Sequence, residues 1–559
     1  MSNSEYWTKF TEKRLSRRRV LQGGAAIGAG LWIGSTLGCG SENKQNQQGG
    51  GTTPQAGTSA QPTATVQPKY GGILYRRDTY DPRSLDPDLE TTPAASFAPT
   101  LASNGLLKFN RESTKIITDL ADSFEQPDDV TYIFKLHPGV KFHNVPPVNG
   151  REFVADDVKF SIERQMTNQP TFVHAYYFKG EIAKIEAVDK YTVKFTTNAP
   201  YAPFLAWIAN PFSVMKCREV VDRDGDLKLT AVGTGPFIFK EWKKGVETVM
   251  VRNPDYFKKG KPYLDEIHAR YVPDNTTAAT MFVSGDLDVL AIDWSLDEQT
   301  RKQRPNATYI PKVESMYPFI LRTQPWDDQR PHKPPMDNLK VRQAIQYATD
   351  KQEYIDVAFG GNGYQMVGMV APSRIPWALP DSDQTKQDIP KAKQLMAEAG
   401  YPNGFKMECI GSNIPSITDS IQVTKGQLAK IGIDIDIKLM EDAQYRNKVY
   451  AFDYMLNLHN MLGNSEPEDY FKPYYGANAT YYRWGDKDLQ DKIAAQSRIM
   501  DPEKRKQAIW EIQRIIQQQA PQVPLYVAHS TTGVQARVKG LILAWNQYDF
   551  SFYEDVWLA

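Results

Sequence analysis

Cysteine is almost missing from this chain: three residues in 559, too few for a disulfide scaffold or for a Cys-rich zinc or iron–sulfur site. An excess of charge of one sign is missing too. Lys and Arg number 66 and Asp and Glu number 66, so a dedicated nucleic-acid binder is not expected. A mean hydropathy of −0.52 excludes a polytopic membrane protein. Catalytic signatures are equally scarce. There is no G-x-x-x-x-G-K-[ST] phosphate loop, no H-E-x-x-H, no G-x-S-x-G and no C-x-x-C. The seven histidines are scattered, with no pair at helical ligand spacing. Asp156 and Asp157 are adjacent, and neighbours on a helix point apart, so a solvated first-turn role is expected of them instead of paired acid–base chemistry. No enzyme activity, metal or cofactor is expected.

The neutral total hides an asymmetry. Residues 1–39 hold six Lys/Arg and two Asp/Glu, a net +4. Within them Ser16-Arg17-Arg18-Arg19-Val20-Leu21 resembles a twin-arginine export motif, with Arg17 and Arg18 as its pair. An uncharged stretch from Val20 to Gly38 follows, and Thr36-Leu37-Gly38-Cys39 resembles a lipobox. Basic flank, apolar core and small-residue-plus-Cys site in that order read as a lipoprotein signal with Cys39 lipid-modified. An uncleaved anchor is the alternative. Residues 40–69 are rich in Gln, Gly, Thr, Ser and Pro and read as a disordered tether. At 5–6 Å × √n, its 30 residues reach roughly 30 Å. Cys217 and Cys409 remain, as two buried thiols or as one bridge.

Beyond Tyr70 the chain mixes period-2 and period-3.6 patterns. Ile185–Val188 and Tyr191–Phe195 read as a hairpin, as do Phe237–Trp242 and Val246–Val251. Val154, Val158, Ile162 and Met166 share one helical face; Val341, Ala344, Ile345 and Ala348 repeat it after a candidate Asp337 cap; Ala392–Ala399 repeats it again. Asp501-Pro502 reads as a cap and first-turn proline. Gly361-Asn-Gly363 reads as a turn. Several aromatics stand outside periodic faces: Tyr176, Tyr177, Trp294, Trp326, Tyr474, Tyr475 and Trp545. As a set they suit a cleft that closes on a ligand.

At these residues the chain resembles the solute-binding proteins of ABC importers, in the family of dipeptide, oligopeptide and nickel binders. The resemblance runs from Gly71 to about Gly540. It rests on ordered motifs: Gly71-Gly-Ile-Leu74, Ser84-Leu-Asp-Pro87, Leu136-His-Pro-Gly-Val-Lys-Phe-His143, Ala155-Asp-Asp-Val158, Gly233-Thr-Gly-Pro-Phe237, Arg252-Asn-Pro-Asp-Tyr-Phe257, Val341-Arg-Gln-Ala-Ile345, Ala392 to Gly404 and Pro521-Gln-Val-Pro-Leu-Tyr526. It implies an α/β, type II periplasmic-binding-protein fold, with two lobes joined by a hinge plus an additional smaller domain. The implied limits are 70–110 with 216–325 and 521–559 for the first lobe, 111–215 for the additional domain and 326–520 for the second lobe. Solute would bind between the lobes, whose closed form the permease recognises.

The resemblance also implies site residues. The loop after the first strand maps to Thr91, Thr92 and Pro93; an aromatic contact from the additional domain maps near His174, Tyr176 and Tyr177; Trp294 and Tyr317 are further candidates. Peptide binders of the family hold the ligand's α-amine with an Asp four residues before a Pro, framed by a Trp seven before it. In His459-Asn-Met-Leu-Gly-Asn-Ser-Glu-Pro467 those positions fall on Gly463 and Asn460, beside His459. The usual amine anchor is therefore not expected, unless Glu466 or Asp469 replaces it. A peptide remains the leading solute class, with a sugar-like or other non-peptide solute, or a sensor role, as alternatives. Expected partners are the solute, the permease and ATPase subunits and the membrane through the lipid anchor, with no nucleic acid. A monomer is expected, lipid-anchored at the outer face of the cytoplasmic membrane or in the periplasm.

Overall fold

Apolar runs bounded by Gly, Pro and Asp build two main sheets in the computed structural model, which describes residues 67–89, 92–111, 113–167, 172–312, 318–372, 376–461, 466–544 and 548–559. The expected export signal with Arg17, Arg18 and Cys39 lies outside the described residues, as do Thr91, Tyr317, Gly463, Trp545 and nearly all of the expected tether. The first sheet has seven strands, in the order Thr308–Lys312, Ser530–Val534, Val289–Ile292, Ile73–Asp78, Glu266–Tyr271, Glu247–Arg252 and Phe237–Lys243. The second has six: Gly363–Gln365, Gln522–Ala528, Pro318–Thr323, Leu456–Asn460, Phe405–Ser412 and Ile433–Met440. Two of its inner strands, Pro318–Thr323 and Gln522–Ala528, are buried along their whole length, as expected where helices cover both faces. One face carries Phe319 and Leu321 against helices such as Leu339–Ala348, Lys351–Phe359 and Pro415–Ala429. The other carries Ile320 against Pro502–Gln519 and the short helix Lys472–Tyr475.

The chain passes between the sheets twice. Thr308–Lys312 belongs to the first and Pro318–Thr323 to the second, while Gln522–Ala528 and Ser530–Val534 are separated only by His529. Strands 318–323 and 522–528 thus pair in the second sheet, although the expected limits put them in the first lobe. Hydrogen bonding to both neighbours overrides a boundary drawn from motif order.

A smaller four-stranded sheet, Ala121–Glu125, Thr131–Leu136, Thr192–Thr197 and Ile182–Asp189, packs on helix Ala155–Gln165. Its core draws in Leu106, Leu107 and Phe109 from one side of the expected 111–215 limits and Cys217, Val220 and Leu227 from the other. Buried charges attach this unit to the loop after the first strand. Arg164 pairs with Asp86 and Asp88, and Lys216 lies 3.2 Å from Asp88, all deeply buried. Each charge has an opposite partner at contact, which is what makes such burial tolerable.

Both expected hairpins are present, and Asp501 caps helix 502–519 by accepting from Lys504 N. Two local expectations are corrected. Asn338, not Asp337, caps helix Leu339–Ala348 through Lys340 N. Asp157 is buried, not solvated: it accepts from Val154 N at 2.9 Å and takes a two-pronged bond from Arg151 at 2.7 and 2.8 Å. A basic residue six positions upstream was enough to draw that carboxylate inward. Cys217 and Cys409 are free thiols in separate cores.

Candidate functional site

The additional unit presents an aromatic slab to the second sheet's layer of helices. Turn Ala175–Tyr177 and helix Phe204–Ile208 place Tyr177 flat on Trp207, ring centroids 4.0 Å apart and 8° from parallel. His174 stacks on Phe212 at 3.9 Å. Hydrocarbon faces are thereby satisfied within the unit, which leaves the polar edges directed outward. They meet a short acidic turn, Pro467–Tyr470, which Glu466 starts by accepting from Glu468 N at 3.0 Å. Glu466 is itself fixed from behind by Arg505, both side chains buried, and Arg505 also donates to Gln496 Oε1 at 3.0 Å.

Glu468 is the centre of the contact. Tyr201 donates its hydroxyl to Glu468 Oε2 at 2.8 Å, and Trp207 Nε1 reaches the same oxygen at 3.2 Å. Ser497 donates to Oε1 at 2.7 Å from the second unit's own side. Beside it the Tyr176 hydroxyl donates to Asp469. At the rim, Lys472 and Arg498 lie 3.3 and 2.6 Å from Glu181. Burial alone would raise the Glu468 pKa, but Lys472, Ser497 and Tyr201 outweigh it and leave it below the usual carboxylate range. Burial pushes the Tyr176 and Tyr201 phenols well above theirs. The carboxylate therefore stays an acceptor and the phenols stay donors at neutral pH.

Behind the acidic turn, Tyr481 and Tyr474 pack at 5.6 Å, and the Arg322 guanidinium lies 5.2 Å from the Tyr474 ring. His459 is buried two residues along its strand from Asn457 and shares its Nδ1 with the Tyr445 hydroxyl at 2.8 Å. Burial first, then the charges of Arg322 and Arg446, hold the His459 pKa well below the ordinary histidine value.

The comparisons with known proteins give the family. The family model for bacterial extracellular solute-binding proteins, family 5 (middle part), matches residues 115–482. The chain belongs to this family. Heme-binding protein A of Haemophilus influenzae is 30% identical over 481 residues, 80% of this chain and 86% of that protein. Di/tripeptide-binding protein 1 of Pseudomonas aeruginosa is 29% identical over 501 residues, 84% and 91% of the two chains. Among solved structures, the ABC transporter-associated periplasmic binding protein DppA of Helicobacter pylori, in complex with peptide STSA, superposes with a TM-score of 0.76 at 28% identity. It covers 88% of this chain and 98% of that one, so the α/β periplasmic-binding-protein fold holds over nearly the whole described chain. The protein is thus a solute-binding protein of the ABC-transporter class.

Not every expected family position falls at this contact. His174, Tyr176 and Tyr177 stand together in the slab, and Tyr176 reaches across it. Thr92 and Pro93 instead start helix Pro93–Ala102, Thr92 accepting from Ala95 N at 3.3 Å. Trp294 begins helix Trp294–Gln303 in the first sheet's unit and lies against Gly360, where a Cβ would come within 2.6 Å of its ring. Asn460 ends its strand, partly exposed, opposite Phe319. The two acids offered as substitutes for the amine anchor are engaged, Glu466 by Arg505 and Asp469 by Tyr176. Tyr201, Trp207, Glu468 and Arg322 were not expected. For Arg322 the available signal was a charged residue inside the otherwise apolar strand PFILRT; no comparable signal marked Tyr201, Trp207 or Glu468.

Proposed function

We propose that the protein is the extracytoplasmic receptor of an ABC importer, capturing a peptide or related small organic solute between its two main sheets. The observation that carries this is the Glu468 contact: residues of the additional unit, fastened to the first sheet, hydrogen-bond to a carboxylate borne by the second. Two polypeptide crossings, one of them at His529, leave a short hinge about which such a contact can form and part. Peptides stay the leading class because the relatives named above include a di/tripeptide binder and a peptide complex, while the heme-binding relative supports a wider range. Export by the twin-arginine route and lipidation at Cys39 complete the proposal; a lipid and a tether of roughly 30 Å would keep a monomeric receptor beside its permease.

Native mass spectrometry of the purified protein tests the reading, by weighing what co-purifies. A solute at 100 times its dissociation constant should add about 2.7 kcal/mol of stability, because it binds only the folded state. Small-angle scattering should then show a smaller radius of gyration. A clear thermal shift with an unchanged radius refutes closure.

A further inference from the structure

Three adjacent strands of the second sheet each place one polar side chain at the same level. Gln522 is opposite Arg322, and Arg322 is opposite Asn457. Directly opposed residues point to the same face of a sheet, so the three form a row across a surface otherwise covered by Ile320, Tyr470 and Ile516. All three are 0% exposed. Arg322 donates Nη1 to the Tyr481 carbonyl at 3.3 Å, and has no carboxylate partner among the described residues. Its Nε and Nη2, the amide atoms of Asn457 and Gln522, and the Tyr475 hydroxyl make no well-formed hydrogen bond among the described residues, and the Tyr454 hydroxyl is left to Arg322 and Asn457 alone.

Such a row is costly unless something compensates it. A buried cation needs an anion at contact, and buried amides and hydroxyls need partners. The free edge of a guanidinium presents parallel N–H groups spaced to meet both oxygens of a carboxylate. Asn457, Gln522 and the two phenols supply neutral donors for the same oxygens. One cation matches one negative charge, which favours a carboxylate over a doubly charged phosphate. The row also lies against the aromatic residues behind the acidic turn: the Arg322 guanidinium is 5.2 Å from the Tyr474 ring, which packs on Tyr481 at 5.6 Å.

We propose that Arg322, flanked by Asn457 and Gln522, is a carboxylate-binding subsite, filled by a carboxylate of the captured solute or by a free small carboxylate. The first source rests on the solute-receptor reading; the second does not. Two matched pairs of probes separate them, each measured by thermal shift and calorimetry on the full chain at constant ionic strength. In one pair, acetate should protect the protein saturably and acetamide should not. In the other, dipeptides with a free C-terminus should bind tenfold or more tightly than the same dipeptides as C-terminal amides. Either response should vanish in Arg322→Met, whose melting temperature should not fall, because an uncompensated buried charge is removed. The inference is overturned if acetate equals acetamide and free acid equals amide, or if the responses survive in R322M. Should R322M fail to fold, the wild-type pairs decide alone. Dipeptide amides bound as tightly as free acids, with acetate no better than acetamide, overturn this subsite and leave the receptor reading intact. Protection by acetate, with no response to any dipeptide and nothing co-purifying, does the reverse.

Discussion

Replacing Glu468 by Gln removes one charge from the contact between the additional unit and the second sheet and leaves its shape. Two donors from across the contact, the Tyr201 hydroxyl and Trp207 Nε1, end on one oxygen of this carboxylate. Hydrogen bonds to a charged acceptor contribute about 1.5–3 kcal/mol, against about 0.5–1.5 for neutral pairs. Trp207 Nε1 is shared with the Tyr201 hydroxyl at 2.9 Å, so E468Q should weaken the closed form by about 1–2 kcal/mol, roughly a 5- to 25-fold fall in the closed-to-open ratio. Ligand affinity should drop by up to that factor. Tyr201→Phe removes one of the bonds from the opposite side, so a Y201F/E468Q double-mutant cycle on ligand affinity should return a coupling of about 1 kcal/mol. Ser497→Ala is the control, because its bond to Glu468 lies within the second unit and should change stability more than affinity. Calorimetry with a bound solute and scattering of the same samples give both readouts. If E468Q binds within twofold of wild type and closes to the same radius, the carboxylate is not a closing contact and the reasoning fails.

Two further outcomes are expected. Burial pushes the Lys351 ammonium from 10.5 down to about 7, and its Nζ donates to the Met366 carbonyl at 2.5 Å. Between those values the unfolded chain holds the extra proton, so stability should rise as pH increases from about 7 to about 10.5, by as much as ~5 kcal/mol; denaturant melts of Lys351→Met should show a flatter profile, and an identical slope refutes the assignment. At the N-terminus, Arg17→Lys with Arg18→Lys should leave precursor in the cytoplasm, and Cys39→Ala should abolish palmitate labelling; labelling that survives sinks the lipobox reading.

Local periodicity made the elements legible, but not their distribution between sheets. The helical face of Val154, Val158 and Ile162 and the hairpin across Asp189-Lys190 are repeated apolar patterns, and both stand in the structure. The placement of Pro318–Thr323 and Gln522–Ala528 in the second sheet depends on which distant strands they pair with, and no window of sequence contains that information. The same holds for the contact. Tyr176 is outside any periodic face and was visible as a candidate, whereas Trp207 sits in a run, Phe204–Ile208, that reads as plain core. It is core by its ring and a donor by its nitrogen, a division that only the stacked Tyr177 and the facing Glu468 reveal. Arg322 and Asn457 were legible as anomalies, polar residues in strands otherwise apolar, but their alignment in one row follows from register.

The additional unit meets its two neighbours by different electrostatic means, and the difference bears on which contact opens. Toward the first sheet, Asp86 and Asp88 face Arg164 and Lys216, charges of both signs buried together. Burial pulls the Lys216 pKa down, partly offset by Asp88. Separating that cluster dry leaves uncompensated ions on both surfaces, so removing any one partner is strongly destabilising. Toward the second sheet the central buried charges, Glu468 and Asp469, are on one side, and the additional unit adds the buried Glu181 near the edge. Glu468 and Asp469 meet phenols and an indole N–H, neutral groups that water replaces at little cost when the surfaces part. The oppositely charged pairs there, Lys472 and Arg498 with Glu181, join two part-exposed cations to a buried carboxylate, so solvent screens them from the cation side only. A contact of a few neutral-to-carboxylate bonds contributes a few kcal/mol, the range in which a ligand's binding energy can tip the balance. The proposed motion therefore has a direction: the additional unit travels with the first sheet, and the Glu468 face is where the protein opens.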